Sequence, residues 1–187
     1  MMVLPMEFVD RLLQDWRIRR GRRFVPPQAR VIDVGAFEGE LFTALGDGLQ
    51  EGFGVEPLIE TPVETARWKI HPGYFPATSP ADGGWDAVTM LAVLEHIPRD
   101  QQEGLAQACY DRLKPGGRVI ITVPSKAVDH ILDLLRKLRL IDGMSLEEHF
   151  GFEPEETLKI FAEPRFKLRH RGRFQLGLNN LFVFERQ

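Results

Sequence analysis

The sequence predicts a doubly wound α/β domain, with a mostly parallel seven-stranded sheet, helices on both faces and an antiparallel C-terminal hairpin. Strand-like and helical segments alternate along residues 29–125, which is typical of parallel strands joined by crossover helices. Three strand-like segments, 31–34, 87–91 and 119–123, are almost continuously apolar, as strands covered on both faces are. Residues 166–186 instead contain two strand-like segments around a polar turn, which indicates a hairpin at the sheet edge.

The predicted elements follow in a regular order. Residues 6–20 have a helical spacing of apolar side chains and precede a Pro26-Pro27 break, so we expect residues 1–28 to form a helical lid ahead of a domain at 29–187. Within the domain, strands are predicted at 29–35, 52–57, 85–93 and 118–125, helices at 39–49, 58–70, 99–113, 127–140 and within 147–163, an extended segment at 71–78 and a turn at 114–117. The hairpin turn is predicted around Gly177, Asn179 and Asn180.

Composition narrows the class of protein. The chain has 187 residues, 43% hydrophobic and 27% charged, which suits one globular domain. Its net charge of -3 does not favour a nucleic-acid partner, and no apolar stretch approaches the ~20 residues that span a bilayer. Cys109 is the single cysteine and follows a helical pattern, so we expect a buried thiol, no internal disulfide and a cytoplasmic setting.

The turn VIDVGAFEG, residues 31–39, is predicted to hold a ligand. In doubly wound sheets the ligand lies outside the carboxyl ends of the strands, beside the first strand, where Gly35 permits a close backbone approach. Glu56 follows Gly35 by 21 residues, the spacing at which a carboxylate accepts hydrogen bonds from ribose hydroxyls. Glu38 and Glu40 would repel a phosphate at the start of the next helix. An adenosine-bearing ligand without a phosphate fits this pattern.

Four motifs, in order along residues 29–125, resemble those of the class I S-adenosylmethionine-dependent methyltransferases of small-molecule type. They are VIDVGAFEG as the glycine-rich motif, GVEP as the acidic motif, WDAVTMLAVLEHI as the fourth strand and its exit, and RLKPGGRVIITVPS as the turn into the fifth strand. The resemblance implies a Rossmann-like fold and S-adenosylmethionine as cofactor. The chain departs from the family at Phe37, where a third glycine is usual.

The resemblance also implies which residues contact the cofactor. Asp33, Gly35, Ala36 and Gly39 would line its amino-acid tail and sulfonium, and Glu56 would bind the ribose. The remaining predicted contacts are Pro57, Thr78, Leu91 and Ala92. After the fourth strand, His96 is the candidate general base and Glu95 its reserve, since family members place acceptor-facing residues there. Glu95 as a helix start and His96 as a rim histidine remain an alternative reading, and no metal is predicted.

The acceptor is predicted to be a small or carrier-linked metabolite methylated by direct displacement. An alternative is a nucleic acid or protein docked through the arginine cluster Arg17–Arg23, although sparse aromatic residues there make nucleic acid the weaker partner. Another is a non-catalytic cofactor-binding module, and a nicotinamide oxidoreductase ranks last. A second basic cluster, Arg165–Arg173, is interpreted as the solvated face of an edge strand.

Overall fold

The computed structural model describes residues 6–125 and 152–187, with side chains described from residue 11. The helices are α1 (Met6–Gly21), α2 (Glu40–Leu45), α3 (Arg99–Arg112) and α4 (Glu156–Ile160). The strands are β1 (Ala29–Val34), β2 (Leu49–Glu56), β3 (Val63–Glu64), β4 (Trp68–Pro72), β5 (Trp85–Leu91), β6 (Leu113–Pro124), β7 (Phe166–Phe174) and β8 (Asn179–Arg186). No helix in these ranges is long and apolar enough to cross a bilayer.

The strands form one sheet in the order β3-β4-β2-β1-β5-β6-β8-β7. β1 pairs in parallel with β2 on one side and with β5 on the other, so strand order reverses beside β1. The carboxyl ends of β1, β2, β4, β5 and β6 therefore meet at one edge, where a doubly wound sheet binds its ligand. The predicted fold class is confirmed.

Each face of the sheet has its own apolar core. Alternation along β1 sends Ile32 into one core and Val31 into the other. The first core includes Leu105 and Cys109 of α3, and the second includes Phe42 of α2. Cys109 is the buried thiol that its helical pattern predicted, and burial raises its pKa.

The prediction of a helix at 58–70 is wrong, because this segment contains β3 and β4, and the sheet therefore has eight strands. Pro62 has no N–H to donate within a helix, and the turn after it is closed by Thr65. The hydroxyl oxygen of Thr65 accepts a hydrogen bond from the Trp68 N–H at 3.0 Å, and the Thr65 N–H donates to the Trp68 carbonyl at 2.8 Å. These local bonds favour a tight hairpin over a helix.

Other boundaries also differ from the predictions. α2 ends at Leu45, since Gly46 leaves the helical region with a φ of +52°, so the predicted helix to residue 49 is too long. The predicted turn at 114–117 lies within the bounds of β6. The helix predicted at 127–140 lies outside the described residues, whereas the helix predicted within 147–163 is α4.

The C-terminal hairpin is confirmed, with β8 antiparallel to β6 and β7 at the edge. Its turn occupies Gln175–Gly177, so Asn179 and Asn180 begin β8 and are buried rather than forming the turn. On β7, Arg169 and Arg171 are exposed and form ion pairs with Glu185 and Glu155, respectively. The second basic cluster is therefore a solvated strand edge, as predicted.

Candidate active site

The glycine-rich turn leaves β1 in a conformation that glycine favours. Gly35 has a φ of +75°, and its N–H donates to the carbonyl of Val55 at 2.9 Å. A Cβ at Gly35 would lie 2.6 Å from Cγ2 of Val93, so no other residue fits without movement. Gly39, with a φ of +84°, lies against the indole of Trp68, 2.8 Å from where its Cβ would be. Gly39 therefore lets α2 and β4 pack closely beside the turn.

Phe37 stands where the methyltransferases that the sequence resembles usually have a glycine, and its backbone lies in the left-handed region that glycine favours. Its φ is +45°, in the left-handed region that costs a bulky residue about 1–3 kcal/mol. The Phe37 N–H donates to Oε2 of Glu56 at 3.0 Å, while the Leu58 N–H donates to Oε1 at 3.0 Å. Glu56 is 5% exposed, so these two bonds fix a buried carboxylate at the end of β2. Each carboxylate oxygen of Glu56 keeps a lone pair that can accept a second hydrogen bond.

Asp33 is a second buried carboxylate at the end of β1. Its Oδ1 accepts a hydrogen bond from the Thr89 hydroxyl at 2.6 Å. Burial raises the pKa of Asp33 to about 8, against the opposing effect of Thr89 and with a small addition from the charges of Glu40 and Glu56. A nearby cation would favour the ionised form and lower this pKa.

A small cavity of about 60 Å³ lies beside Asp33 and is lined by both acidic and basic side chains. Asp33 and Glu40 lie on the side of the sheet and α2, and Arg17 lies on the side of α1. Its other lining residues are Gln14, Ile18, Gly35, Ala36, Leu41 and Leu91. Carboxyl groups and a guanidinium around one cavity can bind the ammonium and carboxylate of an amino-acid group.

A larger cleft of about 650 Å³ adjoins the small cavity, and Gln14, Gly35 and Leu91 line both. Glu56 is its one carboxylate among the lining residues, and most of the others are apolar. Besides Gly35, five of the residues predicted for the site line this cleft: Glu56, Pro57, Leu91, Ala92 and His96. The remaining lining residues are Gly73 and the apolar side chains of Val34, Phe37, Val55, Leu58, Tyr74, Phe75, Val93 and Ile97.

The structure does not bring three predicted residues to the lining of either cavity. Thr78 lies behind Gly73, with its Oγ1 2.2 Å from where a Cβ of Gly73 would be. Glu95 is 2% exposed within the 3-10 turn Leu94–His96, which directs the neighbouring His96 to the cleft instead. Gly39 contacts Trp68, as described above.

Sequence reasoning missed Gln14 and Arg17, which α1 brings to the site. α1 packs on the sheet through Ile18 and Gly21, with Gly21 close to Leu91, so the residues one turn earlier face the cavities. Residues 14, 17, 18 and 21 share one face of the helix by their spacing, and this was the available signal. The pattern of apolar residues does not reveal this face, because only Ile18 among the four is a large apolar residue. Arg17 therefore lines the small cavity, whereas the arginines that follow it are exposed to solvent.

Known proteins match both the sequence and the fold. A family model for a methyltransferase domain matches residues 6–163. The ubiquinone biosynthesis O-methyltransferase of Marinobacter nauticus is 28% identical over 160 residues, which are 76% of this chain and 61% of that protein. The chain thus spans about three fifths of that relative's length.

Solved structures establish the fold. One chain of the complex between the Haloferax volcanii Trm112 methyltransferase activator and its methyltransferase superposes with a TM-score of 0.71 at 15% identity, covering 95% of this chain and 92% of that chain. The 1,6-didemethyltoxoflavin-N1-methyltransferase of Burkholderia thailandensis was solved with 1,6-didemethyltoxoflavin and S-adenosylhomocysteine. It superposes with a TM-score of 0.64 at 16% identity, covering 100% of this chain and 92% of that chain.

Proposed function

We propose that this chain, which belongs to the methyltransferase domain family, uses S-adenosylmethionine to methylate a small or carrier-linked, largely apolar metabolite. The observation that carries this proposal is the junction of two unlike cavities at Gly35 and Leu91. One cavity is small and charged, and the other is large and mostly apolar. The first suits the cofactor's amino-acid tail, and the second has room for adenosine and an acceptor.

The residues of both cavities fit S-adenosylmethionine. Asp33 and Glu40 would accept hydrogen bonds from its ammonium group, Arg17 would donate to its carboxylate, and Glu56 would accept from its ribose hydroxyls. Gly35 carries no side chain where the two cavities meet, and a Cβ there would clash with Val93. Leu91 and Ala92 would cover the middle of the cofactor from the end of β5.

The cofactor supplies a methyl group already activated by a sulfonium, so direct in-line displacement needs no covalent enzyme intermediate. The chain mainly orients the reactants, a contribution that can reach ~7–11 kcal/mol. Cys109 is fully buried and takes no part. His96 faces the cleft and would accept the proton of a hydroxyl acceptor, whereas an acceptor without an acidic proton would need positioning alone.

The chemistry of the cleft supports a small acceptor over a macromolecule. Its walls carry Phe37, Phe75, Val93 and Ile97, side chains that bury the apolar surface of a compact ligand. Two similar proteins are named for ring compounds, ubiquinone and 1,6-didemethyltoxoflavin. These likenesses support a small organic acceptor.

The experiment is a screen with methyl-labelled S-adenosylmethionine and cell extract divided into small-molecule and macromolecular fractions. We expect label in organic-extractable small molecules with the parent protein, and much less with Glu56→Ala at the same concentration. The exposed Glu60→Ala is the matched control and should label like the parent. Label found only in protein or nucleic acid would overturn the proposed acceptor class. Equal labelling rates with the parent, Glu56→Ala and Glu60→Ala would overturn the role of Glu56.

A further inference from the structure

Large apolar side chains gather around the opening of the cleft. In the described part of the chain, eight such side chains are exposed, and six belong to segments at the carboxyl edge of the parallel strands. We call these six the mouth edge: Leu12, Trp16, Phe37, Leu58, Tyr74 and Leu176. Val63 and Leu168 lie away from the mouth, on the edge strands β3 and β7. Exposed apolar residues scattered singly need no explanation, but a gathering on one edge does.

The topology explains why these residues meet. Phe37, Leu58 and Tyr74 follow the carboxyl ends of β1, β2 and β4. Leu176 lies in the turn between β7 and β8, and this turn is at the same edge because Asn179 pairs with Pro124, the last residue of β6. α1 reaches this edge as well, since the Leu13 carbonyl accepts a hydrogen bond from Nε2 of Gln175 at 2.9 Å.

Leu176 shows that exposure at this edge is built into the fold. Its side chain is 97% exposed, and its φ of +57° is unfavourable for leucine. The turn is nevertheless held firmly, because Gln175 bonds to Leu13 and its Oε1 accepts from Nδ2 of Asn179 at 3.1 Å. The fold thus maintains an unfavourable backbone conformation that presents a leucine to solvent.

Positive charge lies beside the α1 part of the mouth edge. Arg19, Arg20, Arg22 and Arg23 are exposed, and no acidic residue lies between Trp16 and Phe24, although the chain as a whole carries a net charge of -3. A helix rises ~1.5 Å per residue, so Arg20 lies about 6 Å from Trp16 along α1. This distance is within the Debye length of about 8–10 Å, so the charge acts on any surface that Trp16 contacts.

We propose that the mouth edge docks on an anionic lipid surface, with Leu12, Trp16 and Leu176 entering the interface and Arg20 facing the headgroups. Tryptophan favours the headgroup level of a bilayer, and leucine favours its hydrocarbon. Exposed leucines offer nothing to the bases or phosphates of a nucleic acid, and base stacking would require more aromatic residues beside the arginines. Docking in this orientation turns the cleft toward the membrane, from which an apolar acceptor would enter.

The test is flotation of the full chain with vesicles of phosphatidylcholine alone or mixed in equal parts with phosphatidylglycerol. Because it measures lipid binding without methyl transfer, its outcome is independent of the acceptor proposed above. We expect the parent protein to bind the anionic vesicles at least about tenfold more tightly than the neutral ones. Added salt should weaken this binding.

Matched variants locate the binding surface. Leu12→Ser with Trp16→Ser should weaken anionic-vesicle binding about tenfold or more, and Val63→Ser with Leu168→Ser should leave it unchanged. Arg20→Gln should weaken it about fivefold, whereas Lys167→Gln on β7 should not. Leu176→Asn offers an independent test, since asparagine tolerates the left-handed turn but removes the apolar side chain.

The S-adenosylmethionine affinity of each variant should match that of the parent, because the changed side chains do not line the cavities. A cooperative thermal unfolding transition in each variant shows that it is folded. Equal binding to neutral and anionic vesicles, or no binding to either, would overturn the proposal. Equal losses in the mouth-edge and control variants would overturn it too.

Discussion

Asp33→Asn should stabilise the protein at neutral and alkaline pH while weakening cofactor binding. Asparagine has nearly the same shape as aspartate, and its carbonyl oxygen can still accept the hydrogen bond from Thr89. What it removes is a buried carboxyl group whose ionisation the fold opposes. It also removes the charge that we assign to the cofactor's ammonium group.

The size of the effect follows from the pKa of Asp33. Burial raises this pKa from an ordinary value of 3.8 to about 8, so between these values the folded chain keeps a proton that the unfolded chain has lost. Stability from this group is therefore complete below the unfolded pKa and is lost as the pH rises toward the folded pKa. The loss approaches 1.4 kcal/mol per pH unit and totals on the order of 5 kcal/mol.

Urea unfolding between about pH 5 and pH 9, without cofactor, measures this difference. The free energy of unfolding of the parent should fall relative to that of Asp33→Asn as the pH rises, and the gap should level off above about pH 8. Asp111→Asn, at an exposed position of α3, is the control and should run parallel to the parent. If Asp33→Asn also runs parallel to the parent, the buried carboxyl does not oppose ionisation and our reasoning fails.

Three further predictions concern Phe37, His96 and α1. Phe37→Gly should change the free energy of unfolding by less than about 1 kcal/mol, because relief of the positive φ offsets the loss of a half-exposed ring, whereas Phe42→Ala should lose about 3–5 kcal/mol in the same urea assay. A loss at Phe37 as large as that at Phe42 would contradict this. His96→Ala should lower turnover of a hydroxyl acceptor about a hundredfold with cofactor affinity nearly unchanged, and parent-level turnover would remove His96 from the mechanism. Deletion of residues 1–24 should reduce turnover more than thermal stability if α1 is a lid, and an unfolded product would make α1 part of the core.

The strand ends of the site could be predicted because their signals are local. Asp33 and Glu56 are acids that end apolar strands at a suitable spacing, and the structure places both beside cavities at one edge. The segment 58–70 misled because its apolar residues have helical spacing, while its hairpin depends on the hydroxyl of Thr65. Arg17 escaped notice among neighbouring arginines, since only the packing of Ile18 and Gly21 decides which one faces the site.

Tertiary packing also decides which side chains of α1 are buried. Helical spacing groups Leu12 and Trp16 with Leu13, yet Leu12 is 55% and Trp16 is 38% exposed. The sheet instead receives Ile18 and the small Gly21, which allows α1 to approach Leu91. A hydrophobicity pattern identifies large apolar residues, whereas a helix can approach a strand closely only where the contacting residue is small.

The most direct test of the account is calorimetric titration of S-adenosylmethionine into the parent, Glu56→Ala and Glu60→Ala. Glu56 is held by the N–H groups of Phe37 and Leu58 with a lone pair left on each oxygen, and a hydrogen bond to an ionised acceptor contributes about 1.5–3 kcal/mol. We therefore predict at least about tenfold weaker binding for Glu56→Ala and parent-like binding for the exposed Glu60→Ala. Unchanged affinity in a folded Glu56→Ala protein would contradict the placement of the cofactor in this cleft.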